Sequence, residues 1–204
     1  MKPLSKGLKQ GEDGMIRCWW CGDDPFYQHY HDLEWGRPVH DEIRLFEKIC
    51  LEGFQSGLSW LTILRKRENF REAFAGFDVR RIAAFGPTDI ERLMADAGIV
   101  RNRRKIEATI QNARAVCRMY DQGESLADFF WSRVPPKEER PERITHDTLL
   151  QMSQSPTSLR ISKDLKARGF TFVGPVTMYA HMQAMGMVND HLEGCAIRKE
   201  LQPS

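Results

Sequence analysis

Hydrophobic residues recur at three- and four-residue steps along most of this chain, which is the spacing of amphipathic helices. One long run carries Ile106, Ile110, Ala113, Cys117 and Tyr120 on a single face. We find no convincing alternation of period two, no internal repeat and no low-complexity tract. The pattern therefore predicts an all-α fold.

Capping residues and helix-breaking residues divide this pattern into separate helices. The charged, proline-rich segment Pro135–Pro141 is predicted to be a mobile loop. Predicted helices begin at or near Asp24-Pro25, Asp41, Val79, Thr88, Ser125, Ser158, Gly174-Pro175 and Asn189.

The stretch Leu45–Phe74 is predicted to be the centre of the fold, as two helices joined by a tight turn at Gly53–Gly57. Glu52 falls on the same helical face as Ile49, so a carboxylate lies on a face that should be buried. The turn folds Trp60, on a single second helix, back toward that carboxylate. Glu52 is therefore either part of a ligand pocket or a structural acid that caps a helix or pairs with an arginine.

The composition suits one compact domain, with 204 residues of which 41% are hydrophobic and 28% charged. The net charge is only +2, so any nucleic-acid binding must use locally clustered Lys and Arg. No apolar run is long enough to span a membrane. Residues 1–14 are polar and lack the apolar core of a signal peptide. We expect a disordered extension there, a helical domain over residues 15–200 and a cytoplasmic protein.

One basic cluster lies at the start of the helix that carries Ile106. Cations are unfavourable at a helix N-terminus because of the helix dipole, so a bound polyanion would relieve the repulsion. A solvated face is the alternative explanation. The cluster consists of Arg101, Arg103, Arg104 and Lys105.

Cysteine and histidine residues form possible half-sites for a metal ion. The five cysteines are odd in number, which fits reduced thiols or metal ligands better than disulfides. His191 and Cys195 are four residues apart, so on the predicted last helix, Asn189–Lys199, they face the same way. The other two ligands of a structural zinc site could come from Cys18 with either His31 or Cys21. Buried or free thiols are the remaining alternative.

Short motifs, in this order and at this spacing, resemble those of the bacterial type I 3-methyladenine DNA glycosylases, which belong to the helix-hairpin-helix glycosylases. The resemblance covers residues 15–195 and is specific, but it does not include residues 1–14. The motifs are Arg17-Cys18, Trp20, Asp24-Pro25, Tyr27, Tyr30-His31-Asp32, Glu34-Trp35-Gly36, Ile49-Cys50-Leu51-Glu52-Gly53, Gly57-Leu58-Ser59-Trp60, Lys66-Arg67-Glu68-Asn69, Asp96-Ala97-Gly98-Ile99, Lys105-Ile106, Asn112-Ala113-Arg114-Ala115, Arg168-Gly169-Phe170, Phe172-Val173-Gly174 and Val188-Asn189-Asp190-His191.

The resemblance implies a role for each group of candidate residues. It implies one structural zinc ion (Zn2+) per chain, which leaves Cys21 as an extra thiol. Glu52 is implied to contact the base. The implied zinc ligands are Cys18, His31, His191 and Cys195; the implied stacking residues are Trp20, Tyr27, Tyr30 and Trp60.

Two DNA-contacting segments are implied as well. A tip formed by Ser56, Gly57 and Leu58 would fill the gap left by an extruded nucleotide. A hairpin over Leu165–Tyr179, with Val173-Gly174 at its turn, would hold a DNA phosphate through main-chain N–H groups.

The implied activity is hydrolytic excision of 3-methyladenine from alkylated double-stranded DNA by a monomer. Asn189 stands where many relatives carry a catalytic aspartate, and Asp190 is shifted by one position. Val176 stands where relatives that cut the backbone carry a lysine, so no lyase activity is expected. The competing hypothesis is a non-catalytic, zinc-stabilised helical DNA-binding module. An acid on a buried face beside Trp60 favours the enzyme, because a phosphate binder gains nothing from a buried carboxylate.

Overall fold

The computed structural model describes residues 3–201 and is mainly helical, which confirms the predicted helical fold. Within that range no helix is both long enough and apolar enough to cross a bilayer. Two short strands, β1 (Leu8–Gln10) and β2 (Ile16–Cys18), come first. The α-helices are α1 (Pro25–Leu33), α2 (Glu42–Gln55), α3 (Trp60–Arg65), α4 (Arg67–Ala73), α5 (Val79–Ala83), α6 (Pro87–Ala95), α7 (Arg103–Asp121), α8 (Leu126–Trp131), α9 (His146–Gln151), α10 (Pro156–Ala167), α11 (Pro175–Ala184) and α12 (Ala196–Glu200), with 3-10 turns at Trp19–Cys21, Ala75–Phe77 and Lys137–Glu139.

Helix α2 is the centre of the fold. Asp41 caps it by accepting a hydrogen bond from the Arg44 N–H, and its side chains from Leu45 to Phe54 are all buried. The helices α3, α7, α8 and α11 pack around it. A helix that is surrounded in this way has no solvent face, so any charged side chain on it needs a partner inside the protein.

Packed phenylalanine rings hold α4 against α2. The ring centroids of Phe54 and Phe70 are 4.6 Å apart, and those of Phe74 and Phe77 are 5.9 Å apart. All four side chains are buried. Aromatic pairs of this kind add about 0.5–1.5 kcal/mol each beyond the burial of their area, so the central helix has a rigid support on this side.

Some helix boundaries differ from the prediction. The predicted single helix after the central turn is two helices, because Lys66 (φ −96°, ψ 0°) ends α3 and precedes α4. The Lys66 ammonium donates to the carbonyl oxygens of Ala97 and Gly98, a tertiary contact that helical spacing does not reveal. Helix α6 is capped at Gly86, whose N–H donates to the Asp89 carboxylate, and not at Thr88.

The prediction of a disordered extension over residues 1–14 is wrong for the part that the structure describes. Strand β1 pairs antiparallel with β2, with Leu8 opposite Cys18. The Trp19 N–H also donates to the Gly7 carbonyl at 2.8 Å. Three-residue strands are too short to show a period of two, which is why the sequence gives no signal for them. Met1 and Lys2 lie outside the described residues.

The C-terminal helix is shorter than predicted. Helix α12 begins at Ala196, so His191 and Cys195 are not on a helix. They lie in a turn in which Gly194 adopts a φ of +95°, a conformation that favours glycine. This turn, rather than helical spacing, brings both side chains to one side.

Candidate active site

A cavity of about 210 Å³ lies beside α2. Its walls include the acid and the four aromatic residues that the sequence predicts as base contacts. The structure thus brings together side chains from α1, α2, α3 and the turn that precedes α1. The five residues are Trp20, Tyr27, Tyr30, Glu52 and Trp60.

The aromatic walls support one another. Tyr27 and Tyr30 are three residues apart on α1, and their ring centroids are 6.3 Å apart in a stacked arrangement. Trp20 packs edge-on against Tyr27 at 5.2 Å, and Trp60 tilts against Tyr30 at 5.6 Å. Rings that pack on each other have little freedom to collapse into the cavity. The pocket is therefore preformed, as is usual for small-molecule sites.

Short local motifs place these rings. Asp24 caps α1 by accepting from the Phe26 N–H, with Pro25 at the first helical position, as predicted. Ser59 caps α3 by accepting from the Thr62 N–H, which makes Trp60 the first residue of that helix. The capped starts of two helices thus fix the two sides of the pocket.

Glu52 is buried, with 6% of its surface exposed, and its partner is Lys48. The Lys48 ammonium lies 2.8 Å from the Glu52 Oε1 atom and donates to the Tyr30 hydroxyl at 3.1 Å. It also lies 3.2 Å from the centroid of the Trp60 ring. Glu52 therefore lies in the predicted aromatic pocket, but it pairs with a lysine and not with an arginine.

Sequence reasoning missed Lys48. Lys48 and Glu52 are four residues apart on α2, which is the spacing of a helical ion pair, so the signal was present. On an exposed helix such a pair has little effect, whereas here it is the only ion pair of Glu52 among the described residues. Burial lowers the pKa of Lys48, and the Glu52 carboxylate opposes that shift.

The tyrosine hydroxyls of the pocket stay protonated. Burial raises the pKa of Tyr27 to about 12 and raises that of Tyr30 well above its ordinary value. The nearby Glu52 carboxylate adds to both shifts. Both phenols are therefore hydrogen-bond donors at neutral pH. The Trp60 Nε1–H is a further buried donor, and no described residue accepts from it.

The predicted DNA-contacting tip lies at the C-terminal end of α2. Ser56 follows the last helical residue, Gly57 has a φ of +84° and Leu58 is 44% exposed. The Lys105 ammonium holds this end of the helix by donating to the Phe54 carbonyl at 2.8 Å and to the Ser56 carbonyl at 2.6 Å. A cation at a helix C-terminus is favourable because of the dipole, so Lys105 supports the tip.

The basic cluster predicted around Lys105 is thus divided. Lys105 is buried, and Arg103 pairs with Glu91 at 2.8 Å. Arg104 lines an open depression on the surface together with Phe172, which is 36% exposed. Of the four predicted cations, two have internal partners, which weakens the interpretation of the cluster as one polyanion site.

Helices α10 and α11 pack together and are joined by residues 168–174. Gly169 in this connection has a φ of +91°. Val173 is fully buried, so its side chain is not available to a ligand. Gly174 caps α11, and Pro175 follows as the first helical residue. At Val173-Gly174, this segment can therefore offer only main-chain groups to DNA.

The four predicted zinc ligands converge on one point. The donor atoms of Cys18, His31, His191 and Cys195 all lie within 4.8 Å of one another, and all four residues are buried. The Cys195 sulfur is 3.6 Å from the His31 Nε2 atom and 3.6 Å from the His191 Nδ1 atom, and the two nitrogens are 3.2 Å apart. Tetrahedral bonds of about 2.0–2.3 Å would place ligand atoms roughly 3.3–3.8 Å apart. The donor set fits a zinc ion.

Neighbouring polar groups fix both imidazole rings. The His31 Nδ1 atom is 2.8 Å from the Asp32 carboxylate, which also accepts from Arg17 at 2.7 Å. The His191 Nε2 atom is 3.1 Å from the Trp35 carbonyl oxygen. Each ring therefore has one nitrogen committed outward and the other turned to the cluster, which is the usual arrangement around a bound metal.

The rival thiol, Cys21, lies outside the cluster. Its sulfur donates to the Cys18 carbonyl oxygen at 3.1 Å. Within the cluster, hydrogen bonds from the Cys18 thiol and from the two imidazoles lower the pKa of Cys195. The cluster thus favours a thiolate, which is the form of cysteine that binds metals.

Asp190, the alternative catalytic acid, is fully buried and satisfied. It accepts from the Tyr179 hydroxyl at 2.7 Å, from Gln183 at 2.9 Å and from Arg140. Arg140 belongs to the segment predicted as a mobile loop, so that segment contributes a buried contact. Asn189 accepts from the His191 N–H and donates to the Arg198 carbonyl. Both residues organise the turn that carries the cluster.

Comparison with known proteins agrees with this geometry. The sequence matches the methyladenine glycosylase family over residues 20–199. It is 51% identical over 185 residues to DNA-3-methyladenine glycosylase 1 of Escherichia coli (strain K12), covering 89% of this chain and 96% of that protein. A crystal structure of 3-methyladenine DNA glycosylase I superposes with a TM-score of 0.82 at 50% identity, covering 88% of this chain and 98% of the other. A variant of such an enzyme in complex with 3-methyladenine also superposes with a TM-score of 0.82, at 36% identity, covering 89% and 97%.

Proposed function

The chain belongs to the methyladenine glycosylase family, and from that premise we propose that it excises 3-methyladenine from alkylated DNA by hydrolysing the bond between base and sugar. The observation that carries the proposal is the position of the Glu52 carboxylate in a preformed aromatic cavity. A DNA-binding module without catalysis has no use for such a cavity. The open pocket therefore favours the enzyme over that alternative.

The substrate base is a cation in DNA, and this decides what the pocket must supply. A base alkylated at N3 is weakly bonded to its sugar, so recognition matters more than acid–base catalysis. We propose that Tyr27, Tyr30 and Trp60 present their ring faces to the base, each contributing about 0.5–2 kcal/mol. Glu52 accepts hydrogen bonds from the amino edge of the base. A charge-assisted bond in a buried site is stronger than one in water.

Extrusion of the nucleotide requires contacts on the DNA itself. Unstacking and unpairing a base costs about a few kcal/mol, and the cost is lower for a damaged pair. We propose that the exposed Leu58 at the end of α2 fills the gap, and that main-chain N–H groups after Gly174 hold a phosphate as in helix-hairpin-helix proteins. These contacts do not depend on the base sequence of the DNA, so binding to undamaged duplex should be weak and salt-dependent.

The enzyme is proposed to be monofunctional. A backbone lyase needs an amine that can reach the sugar carbon, and Val176 stands at the family position for that lysine. Lys48 does line the pocket, but its ammonium pairs with the Glu52 carboxylate at 2.8 Å, so we propose no lyase role for it.

We further propose that the cluster of two cysteines and two histidines holds one structural zinc ion. The spacing of the donor atoms and the outward hydrogen bonds of both rings support this assignment. Such an ion would fasten β2 and α1 to the turn before α12. Because all four protein ligands are already assigned, the ion would have no open position for chemistry.

The remaining proposals concern the setting of the enzyme. We propose that it acts as a monomer on double-stranded DNA in the cytoplasm. The free thiols of all five cysteines suit a reducing compartment.

Release of free 3-methyladenine from methylated duplex DNA, separated by chromatography, tests the proposed activity. The protein should release the base and leave an intact strand with an abasic site. The control is Glu72→Gln, which alters an exposed acid on α4 outside the cavity. Duplex binding without any base release by the wild-type protein would support the non-catalytic module instead.

A further inference from the structure

The Lys48 ammonium occupies the place that a cationic base needs. It lies 3.2 Å from the Trp60 ring centroid, at the distance of a close cation–π contact, and 2.8 Å from the Glu52 carboxylate. These are the two groups that the proposed mechanism assigns to the base. One ring face beside one carboxylate cannot hold two cations at once.

A second, smaller cavity lies behind this position. It has a volume of about 20 Å³, and Tyr30, Lys48 and Trp60 line both cavities, so they form the partition between them. Roughly 10–15 Å³ is enough to hold one water molecule, and an ammonium group is of similar size. The rear cavity can therefore receive the head of Lys48 if it leaves the front.

The rear cavity is less favourable to an ammonium than the front. Its carboxylates, Glu34 and Glu47, are already paired with Arg67 and Arg71. Arg44 also lines it. Glu52, in the front cavity, has no ionic partner among the described residues other than Lys48. Lys48 therefore stays beside Glu52 while the pocket is empty.

We infer that Lys48 is a resident counter-ion of Glu52, which occupies the cation position in the empty pocket and withdraws to the rear cavity when a cationic base takes its place. The inference rests on the proposed function, because it needs a cationic base as the ligand. Lys48 is then a positioning residue that holds the place of the base.

The physical reason lies in the burial of Glu52. A buried carboxylate costs free energy unless an opposite charge lies close to it. Lys48 supplies that charge at 2.8 Å until the base arrives, and the cationic base then supplies it.

Other titratable groups near this pair do not provide the same charge. Tyr27 and Tyr30 on α1 are neutral donors, as shown above. His181 on α11 is fully buried, and its lowered pKa, at about 3, keeps it neutral. The guanidinium of Arg67 is engaged with Glu34. Among the described residues, Lys48 is therefore the cation that pairs with Glu52.

The test uses Lys48→Met, which keeps most of the length of the side chain and removes its charge, beside Lys48→Arg, which keeps a charge. The probes are 3,9-dimethyladeninium, a fixed cation that resembles the lesion, and 9-methyladenine, its neutral counterpart. Binding is measured by calorimetry between pH 5 and pH 9 for the three proteins. Circular dichroism confirms that each protein is folded at every pH used.

The expected result is a gain in affinity that is specific to the cation. Lys48→Met should bind 3,9-dimethyladeninium about tenfold more tightly than the wild type, because no ammonium must be displaced from the carboxylate. Lys48→Arg keeps a charge that must be displaced, so it should not show this gain. The affinity for the neutral 9-methyladenine should change less than the affinity for the cation.

Two outcomes would overturn the inference. One is an affinity of Lys48→Met for the cation that is equal to or lower than that of the wild type. The other is a wild-type complex with 3,9-dimethyladeninium in which the ammonium stays on Trp60. The complex decides the matter even if the variants do not fold. Failure of the proposed function is distinguishable, because it would appear as absent base release by the wild-type protein.

Discussion

The Cys/His cluster and the base pocket both bury polar side chains, but they satisfy them in different ways. In the cluster, four donor atoms face one another, and His31 and His191 each have an outward partner as well. In the pocket, Glu52 has a single ionic partner, Lys48, beside a cavity of about 210 Å³. A closed set of polar groups stabilises a fold, whereas an open set with one exchangeable partner can accept a ligand.

The largest expected effect on stability comes from removing one ligand of the Cys/His cluster. Cys18→Ser should abolish zinc binding and lower the free energy of unfolding by several kcal/mol, because metal binding and folding are coupled. Cys21→Ser is the matched control, since it alters a buried thiol three residues away that lies outside the cluster. It should keep the zinc and cost about 1 kcal/mol or less. Metal analysis and urea unfolding measure both quantities.

Two results would contradict the prediction that these four residues bind zinc. One is wild-type protein, purified without chelator, that contains no zinc. The other is a larger loss of metal in Cys21→Ser than in Cys18→Ser, which would mean that Cys21 is the N-terminal thiol ligand.

The variant Glu52→Gln tests the role of the carboxylate in the base pocket. Excision of 3-methyladenine should fall by about tenfold or more, which corresponds to the loss of about 1.5–3 kcal/mol from a charged hydrogen bond. Duplex binding should remain, because the phosphate contacts lie elsewhere. The structure adds that this variant leaves the Lys48 ammonium buried without its carboxylate, so it should also be less stable. Chromatography of released base and thermal unfolding separate the two effects.

The double variant Lys48→Met/Glu52→Gln removes that complication. It should recover much of the lost stability and still excise poorly, because it lacks the unpaired cation and the carboxylate alike. If Glu52→Gln kept full excision and only lowered the melting temperature, Glu52 would be a structural acid. The pocket would then not differ from the cluster in the way described above.

The sequence predicted the parts of both regions that depend on local chemistry. The caps at Asp24 and Ser125 and the helix start near Asp41 are confirmed, because a side chain that bonds an N–H two or three residues later needs no tertiary information. The position of Glu52 in the aromatic pocket followed from the central turn. The roles of Lys48 and Lys105 could not follow from local pattern, because their partners are chosen by how helices pack.

The four cluster residues show a different limit. Their convergence was predicted from a helical spacing that the structure does not contain, since Gly194 turns the chain before α12 begins. The family resemblance carried that prediction where the spacing argument was wrong. The β1–β2 pair had no signal at all, because its strands are too short for periodicity.

His181 is a third case, a buried polar group with neither kind of partner. Its ring stacks on Phe130 at 4.3 Å, and no described residue bonds either nitrogen. Burial, with a smaller contribution from Lys48, lowers its pKa from 6.5 to about 3. The unfolded chain therefore takes up this proton first as the pH falls. The stability that depends on the neutral ring is complete above pH 6.5 and is lost between there and about pH 3.

The expected size is about 1.4 kcal/mol at pH 5.5 relative to neutral pH, which is the linkage of one proton. His181→Leu should remove this part of the pH dependence. The difference in unfolding free energy between wild type and variant, measured at pH 7.5 and pH 5.5, isolates it from the other histidines. Equal pH dependence in both proteins would mean that the buried ring is protonated or solvated in the folded state.

The smallest expected effect concerns the surface of the protein that binds DNA. If the base pocket opens toward DNA beside the tip at Ser56–Leu58, the start of α7 should approach the DNA backbone too, because Lys105 joins α7 to that tip. Arg104 lines an open surface there, whereas Arg103 is already paired with Glu91. Arg104→Glu should weaken binding to undamaged duplex by a few fold at any sequence and reduce the salt slope by about 1. Arg103→Glu, the matched control, should change binding less, since Arg103 has an internal partner. Fluorescence anisotropy at several salt concentrations measures both. Unchanged affinity for duplex in both variants would mean that the cluster is a solvated face.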